Sequence, residues 1–178
     1  AEQLVFGCEY AGGGCGPKTK SFMVMATNGA WSKPHGWWNM ISAAKQRGVN
    51  IIVIDARRTK VAELATIHLQ PKQGTDAALG AGICRVLFEE GLYNKPFCDK
   101  WVYGVEEYRN YCKDFTPEKT EAITGVPADL IVKAARMYAE GPGSFALTSQ
   151  SLSHSRNGVN SARALLNCLL YTSDAADD

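Results

Sequence analysis

Residues 50–59 read Asn-Ile-Ile-Val-Ile-Asp-Ala-Arg-Arg-Thr, and this stretch decides the fold class. Its four consecutive apolar residues are all β-branched, which indicates a strand buried on both faces of a parallel sheet. The run ends at Asp55, and Arg57, Arg58 and Thr59 follow. In an open α/β sheet, ligands bind beyond the carboxyl ends of the strands, where an acid and two arginines can hold ribose and phosphate. The alternative is a helix cap at Asp55 followed by solvated arginines, and this stretch alone favours neither interpretation.

The composition is that of a globular chain. The 178 residues are 46% hydrophobic and 21% charged, with a formal net charge of +1. Such a balance lacks the basic footprint of nucleic-acid binding, so no nucleic-acid partner is predicted. No apolar run is long enough to insert into a membrane, and the opening Ala-Glu-Gln-Leu has no signal-peptide character. The length suits one domain, or one domain with part of another, and the missing Met indicates processing or a fragment.

The six cysteines give no metal or dithiol motif, because no two of them have Cys-x-x-Cys spacing. Cys84 and Cys98 lie in apolar contexts and are predicted to be core thiols. Cys8 and Cys15 lie in a Gly-rich lead-in, residues 1–20, and are interpreted as terminal thiols rather than ligands. The lead-in has no Gly-x-Gly-x-x-Gly between a strand and a helix, which a nicotinamide-binding domain would need.

A second apolar run, residues 21–26, predicts another buried strand that also ends in a polar loop. Asn28-Gly29 is a turn signal at the start of that loop. A helix over 34–48 is predicted next, with Pro in its first turn and Gly at its end. Strand, helix and the strand before Asp55 then form a right-handed βαβ crossover, whose polar loops leave the same edge of one sheet.

A third polar loop precedes a long helix. A short helix over 59–64 and a short strand over 67–70 lead to Gly74-Thr75-Asp76. Thr75 is a natural N-cap, and a carboxylate at Asp76 suits the first turn of a helix. Capping alone explains both residues. The functional interpretation is that Asp76 faces the same ligand as the other two loops.

The C-terminal third contains a helix, a break and a further strand. The apolar period predicts a helix over 128–138, and the Gly- and Pro-rich break at 140–143 is a candidate domain boundary. The following strand, 144–149, leads into a polar loop that contains Gln150 and His154. A lone histidine is usually a satisfied loop residue, but several polar side chains after one strand favour a ligand contact.

Five short motifs follow one another in a fixed order. They are Thr27-Asn28-Gly29-Ala30, Val53-Ile54-Asp55-Ala56-Arg57-Arg58-Thr59, Gly74-Thr75-Asp76-Ala77-Ala78-Leu79, Glu90-Gly91-Leu92-Tyr93-Asn94-Lys95-Pro96-Phe97 and Ile123-Thr124-Gly125-Val126-Pro127. Each motif is common, but the ordered set over residues 20–167 resembles the molybdopterin oxidoreductase family, of the dimethyl sulfoxide reductase and formate dehydrogenase type.

The resemblance implies an α/β fold, a Rossmann-like open parallel sheet flanked by helices, over residues 21–142. It implies that this domain holds one guanine dinucleotide of a bis(molybdopterin guanine dinucleotide) cofactor of molybdenum or tungsten, and that 143–167 begins a neighbouring α/β domain. The implied cofactor contacts are Ala26, Asn28, Ala30, Trp31, Lys33, Asp55, Arg57, Arg58, Thr59, Gly74, Thr75, Asp76, Gln150 and His154. A carboxylate such as Asp76 can accept from two adjacent N–H groups of guanine, and an arginine suits the pyrophosphate.

The sequence departs from the family pattern at several loop positions. Ala26-Thr27 stands where the family often has Trp-Gly, and Gly29, Ala56 and Gln73 stand where it usually has Pro. These changes alter the sequences of the loops, but none removes an implied polar contact.

The resemblance also implies parts of the parent enzyme that this chain lacks. A [4Fe-4S] motif and the residue that ligates molybdenum are expected upstream, and a barrel enclosing the second dinucleotide is expected downstream. The parent is expected to transfer an oxygen atom, or protons and electrons, to a small-molecule substrate, in some relatives with an iron–sulfur electron-transfer subunit. The fragment alone is expected to be inactive. Both cytoplasmic and periplasmic locations fit the family.

Three alternatives remain at the sequence level. The parent could be a non-redox molybdenum hydratase or transhydroxylase of the same family. The chain could instead be another nucleotide-binding module, from a nicotinamide or thiamine-diphosphate enzyme, or a helix-rich interaction domain whose polar loops are only caps. Residues 168–178 resemble a translated sequencing adapter and are expected to be a non-native tail, the alternative being a genuine acidic tail.

Overall fold

The computed structural model describes residues 15–140, 143–154 and 156–168. At its centre is a four-stranded sheet in the order β3-β2-β1-β4. The strands are β1 (Ser21–Met25), β2 (Asn50–Ile54), β3 (Ile67–Leu69) and β4 (Phe145–Thr148). Each neighbouring pair is parallel, so all four carboxyl ends lie at one edge. The predicted α/β class is confirmed, and β1 and β2 are neighbours as predicted.

Nine α-helices surround this sheet in the described part of the chain. They are α1 (Gly29–Ser32), α2 (Asn39–Gln46), α3 (Lys60–Glu63), α4 (Asp76–Glu89), α5 (Lys95–Trp101), α6 (Val105–Cys112), α7 (Pro117–Thr124), α8 (Ala128–Tyr138) and α9 (Gly158–Leu166). The predicted helix over 34–48 begins as a π-helical turn, Pro34–Trp38, and continues as α2. The helix predicted over 128–138 has the observed bounds of α8.

Both faces of the sheet are buried. Met23, Met25, Ile52 and Ile54 face a core that includes α4, α8 and α9. The alternate residues of β1 and β2 face a second core formed with α2 and α3. Helices on both faces explain why the strands read as unbroken apolar runs rather than alternating ones. Cys84 and Cys98 are buried thiols, as predicted.

The segment after residue 143 joins the same sheet. β4 pairs with β1, in the register Phe22 opposite Phe145 to Met25 opposite Thr148. α9 packs against α4 on one face of the sheet. No second sheet begins in the described part of 143–167, so a neighbouring domain at this point stays a prediction. The proposed boundary falls partly on residues 141–142, outside the described residues.

The two chain ends are described only in part. Residues 1–14, and Cys8 with them, lie outside the described residues, as do 169–178 of the predicted tail. Cys168, the first residue of that tail, is buried with its sulfur 3.4 Å from Cys84 Sγ.

Candidate functional site

Three polar loops meet at the carboxyl edge of the sheet, after β1, β2 and β3. Backbone hydrogen bonds join them where the strands end. The Ala26 amide donates to Ile54 O at 2.7 Å, and the Asp55 amide donates to Leu69 O at 3.2 Å. The loops that the sequence predicted at one edge are therefore adjacent.

The loop after β1 turns sharply at Ala26. Its φ of +50° is the one left-handed non-glycine conformation in the described part of the chain. The Ser151 hydroxyl, from the segment after β4, donates to the Ala26 carbonyl and holds this turn from the other side. Ser151 lies 125 positions away, so no local signal in the sequence indicated this contact.

Two oxygens of the same loop are buried without a hydrogen-bond partner among the described residues. They are Thr27 Oγ1 and Asn28 Oδ1, and Thr27 as a whole is 2% exposed. Because buried polar atoms in folded proteins are nearly always paired, such atoms mark a place where a ligand or water completes the bonding. Asn28 was predicted as a contact residue. Thr27 was missed, although it lies within the loop that the resemblance named.

The remaining candidates of this loop belong to α1 and its end. Ala30 is half-buried, and Trp31 is 79% exposed. Lys33 is exposed, with its Nζ 4.4 Å from the centre of the Trp37 ring. Trp31 and Lys33 therefore lie on the exposed surface beside the end of β1.

Asp55 closes a tight turn at the end of β2. Its carboxylate is 9% exposed, and Oδ1 accepts the Arg57 amide hydrogen at 2.8 Å. Arg57 Nε lies 3.9 Å from the same oxygen, while the Arg57 and Arg58 side chains extend into solvent. Asp55 does not cap a helix. The N-cap of α3 is Thr59, which is buried and whose Oγ1 accepts from the Ala62 amide at 3.3 Å.

The loop after β3 leads into α4 at the predicted N-cap residue. Thr75 occupies the N-cap position, but its hydroxyl donates to Lys72 O at 2.6 Å and makes no capping hydrogen bond with α4. Gly74 is left-handed, with φ +81°. The Lys72 amide donates to Thr124 O at 2.8 Å, which ties this loop to the end of α7.

Asp76, the first residue of α4, is half-buried. Burial raises the pKa of its carboxyl, and the negative charge of Asp55 raises it further, whereas the hydrogen bond from its own backbone amide lowers it.

The fourth strand also ends at this edge. A 3₁₀ turn, Gln150–Ser153, follows β4, and the Ser151 contact brings it against the β1 loop. The predicted contact at Gln150 falls on a side chain outside the described part of the structure. His154 is exposed, and its amide donates to Ser151 O at 3.3 Å.

Comparison with known proteins identifies the relatives of this chain. It is 37% identical over 134 residues to formate dehydrogenase H of Escherichia coli, covering 75% of this chain and 19% of that protein. It is 44% identical over 115 residues to acetylene hydratase of Syntrophotalea acetylenica, covering 62% of this chain and 16% of that protein. The chain belongs to the molybdopterin oxidoreductase family.

A solved structure agrees with this assignment. The acetylene hydratase from Pelobacter acetylenicus superimposes with a TM-score of 0.75 at 35% identity, over 86% of this chain and 21% of that one. The F420-dependent formate dehydrogenase 1 subunit alpha of Methanococcus maripaludis is 34% identical over 129 residues, covering 72% of this chain and 19% of that subunit. No protein-family model matches the chain. The chain spans only 16–19% of the length of these three curated relatives.

Membership of the molybdopterin oxidoreductases implies an enzyme that uses a molybdenum or tungsten pterin cofactor. The residues at the sheet edge suit a polar ligand of this kind, because they combine two interacting acids with two buried oxygens that lack partners among the described residues. No described cluster of three or more His, Cys, Asp or Glu side chains could hold a metal ion. The described helices include none that is long and apolar enough to cross a membrane.

A concave surface of this molybdopterin oxidoreductase chain lies between α7 and α8, with a volume of about 490 Å³. Its walls carry both acidic and basic side chains. The lining residues are Pro117, Glu118, Ala128, Asp129, Val132, Lys133, Arg136, Met137 and Glu140. None of them belongs to the loops at the carboxyl edge, so this groove is separate from the candidate site.

Proposed function

We propose that this chain is the dinucleotide-binding part of a larger molybdenum or tungsten enzyme. Its sheet edge would bind the guanine dinucleotide arm of a bis(molybdopterin guanine dinucleotide) cofactor. The proposal is supported by the position of Thr27, Asn28 and Asp55 directly after β1 and β2, by the two unpaired buried oxygens of Thr27 and Asn28, and by Asp76 at the start of the helix that follows β3. This is the position at which open α/β sheets bind nucleotides.

Guanine suits Asp76 better than adenine does. The Watson–Crick edge of guanine carries two adjacent N–H donors, and a carboxylate can accept from both at once. The same edge of adenine presents a donor beside an acceptor, which would face the second carboxylate oxygen with a lone pair. Asp76 is therefore proposed as the residue that selects the base.

Other candidate residues are proposed to contact the remaining parts of the dinucleotide. Asp55 stands at the end of β2, where an acid in a nucleotide-binding sheet accepts from ribose hydroxyls. Arg57 and Arg58 extend into solvent and can pair with the pyrophosphate. Asn28 Oδ1 can accept from an N–H or O–H donor. The exposed Trp31 ring offers a face on which a planar ring can stack.

The remaining candidate contact residues are assigned from the family pattern. Thr59 already accepts a helix amide, and Ala30, Lys33, Gly74, Thr75, Gln150 and His154 are proposed from the family pattern and their place at or beside this edge.

The cofactor, when bound, supplies the metal centre at which an oxygen atom or protons and electrons are transferred. The residues of this chain would bind and orient it. A [4Fe-4S] cluster and an iron–sulfur partner subunit are proposed for the parent only.

The proposal is tested by following the thermal stability of the 178-residue chain with GDP, ADP and NAD. A ligand at about 100 times its Kd stabilises a protein by about 2.7 kcal/mol. For a chain of this size that corresponds to a rise in Tm of roughly 5–10 °C. We expect this rise with GDP, and a smaller one with ADP or NAD.

Asp76→Ala should abolish the preference for GDP. Asp129→Ala is the matched control, because Asp129 is likewise an acid in the first turn of a helix, α8, and lies outside the candidate site. Equal stabilisation by all three nucleotides, or a preference for GDP that survives Asp76→Ala, would refute the assignment. The isolated chain should show no turnover with or without added molybdenum.

A hydratase parent is the second candidate. It is supported by the identity of 44% over 115 residues to acetylene hydratase, beside the identity of 37% over 134 residues to formate dehydrogenase H. The two candidates differ in electron balance, since hydration needs no electron acceptor and formate oxidation does. Assaying the full-length parent for formate-dependent reduction of a dye, and for aldehyde formed from acetylene without a dye, separates them.

A further inference from the structure

Asp55 is held by strand β3 as well as by its own strand. The Asp55 amide, one residue beyond the end of β2, donates to Leu69 O at 3.2 Å. Its carbonyl oxygen lies 2.9 Å from His68 Nε2. Both polar groups of the Asp55 backbone are therefore fixed by consecutive residues of β3.

The hydrogen bond to the Asp55 carbonyl defines which ring nitrogen of His68 carries the hydrogen. A carbonyl oxygen only accepts hydrogen bonds, so Nε2 of His68 must carry the hydrogen. His68 is half-buried between Ile67 and Leu69, which are buried. The hydrogen bond to Asp55 is therefore partly shielded from water.

The carboxylate of Asp55 depends on this backbone arrangement. Oδ1 accepts the Arg57 amide hydrogen at 2.8 Å, which closes a turn of three residues, 55–57. Among the described residues no hydrogen bond reaches Oδ2, so this oxygen is left for a ligand. If the Asp55 carbonyl were released, the following peptide could rotate, and the turn that aims the carboxylate would open.

We propose that His68 is a positioning residue that aims the Asp55 carboxylate through its hydrogen bond to the Asp55 carbonyl. The role of Asp55 toward the ligand rests on the proposed function above, but the hydrogen bond itself can be tested in the free chain. Gln70 supports the same loop more weakly, with Nε2 3.5 Å from Ala56 O.

Three variants of the full chain test this role. His68→Phe keeps a planar ring and removes the donor, whereas His68→Gln places an N–H donor near the position of Nε2. His35→Phe is the control for losing a histidine, because His35 is exposed and lies outside the three loops.

The first measurements need no ligand. Histidine ¹⁵N correlation spectra should show His68 with hydrogen on Nε2. A neutral ring with hydrogen on Nδ1 would overturn the inference. Hydrogen exchange of the Arg57 amide should become about 3- to 10-fold faster in His68→Phe, the loss expected for one hydrogen bond. It should stay within about twofold of wild type in His68→Gln and in His35→Phe.

The second measurement is the Kd for GDP by calorimetry. His68→Phe should weaken binding by about 3- to 10-fold, and His68→Gln should restore most of the affinity. The Tm of each free variant separates this effect from general destabilisation, since the loss of affinity should persist well below the Tm. An unchanged Kd in His68→Phe would refute the role toward the ligand. If wild type itself does not bind GDP, the proposed function fails, while the tautomer and the Arg57 exchange still decide whether His68 holds the turn.

Discussion

Replacing Gly82 by alanine tests how α4, the helix that begins at Asp76, is seated against α7. A Cβ at this position would lie 2.5 Å from Thr120 Oγ1 and 2.7 Å from Thr120 Cγ2. Thr120 is fully buried, and its hydroxyl donates to Phe115 O at 3.3 Å. The threonine therefore has no solvent into which it can rotate, and the two helices must move apart to admit the methyl group.

The expected cost follows from two opposing effects. Overpacking of a filled core costs about 1–3 kcal/mol. Alanine has a higher helix propensity than glycine by about 1 kcal/mol, which offsets part of this cost. We therefore expect Gly82→Ala to lower the free energy of unfolding by up to about 2 kcal/mol and the Tm by up to roughly 8 °C. The outward shift of α4 should also weaken GDP binding through Asp76.

Urea unfolding of a double-mutant cycle is the assay. The cycle compares Gly82→Ala, Thr120→Ala and the double variant, and Gly36→Ala serves as control because no atom lies within 4 Å of the Cβ built there. The methyl group added by Gly82→Ala should occupy the space left by the threonine, so the double variant should be about 1–2 kcal/mol more stable than the sum of the singles predicts. Additive effects, or a Gly82→Ala variant as stable as Gly36→Ala, would refute the close contact between α4 and α7.

Three further changes test the sheet edge and the end of α7. Ala26→Gly should raise the free energy of unfolding by up to about 1 kcal/mol in urea titrations, because the left-handed φ costs alanine more than the added chain entropy costs glycine; Ala30→Gly, in α1, should lower it. Asp76→Asn should stabilise the fold at neutral pH. Because the pKa of Asp76 is raised in the folded chain, ionisation of its carboxyl destabilises the fold as pH rises above the ordinary pKa of 3.8. Below that pH, the Tm of the wild type and the Tm of Asp76→Asn should converge in a pH series. Gly125→Ala, at φ +77°, should cost about 1–2 kcal/mol in urea titrations.

The strands and their order along the chain could be predicted because their signals are local, whereas the pairing of β4 with β1 was not predicted. The apolar runs of β1 and β2 are unbroken, since both faces of each strand are covered, and the polar loops begin where the runs end. α8 was predicted with its observed bounds because its apolar stripe lies between Pro127 and a break at 140–143. Gly80 and Gly82 carried no such signal. Only the partner helices reveal that a side chain at either position would collide with a neighbour.

The details of the site depend on hydrogen bonds that residue type and spacing do not specify, two of them between residues 13 and 125 positions apart. Thr75 has the residue type and position of an N-cap, but its hydroxyl bonds to Lys72 O because the Gly74 turn brings that carbonyl within 2.6 Å. The left-handed turn at Ala26 is held by Ser151, and the Asp55 peptide is held by His68. None of these pairings follows a local pattern, so the sequence indicated the loops but not what fixes them.

The acids and orphan oxygens at the sheet edge also carry a physical argument for a ligand rich in N–H and O–H donors. Asp55 and Asp76 raise the local negative charge, and Thr27 Oγ1 and Asn28 Oδ1 add buried lone pairs without donors from the described residues. Each of these features costs stability in a free chain. A guanosine supplies the missing donors from its base and its ribose, whereas a bare phosphate would add further lone pairs and charge. The nucleoside therefore suits the acids at the carboxyl edge of the sheet, and the phosphates suit the exposed side chains of Arg57 and Arg58.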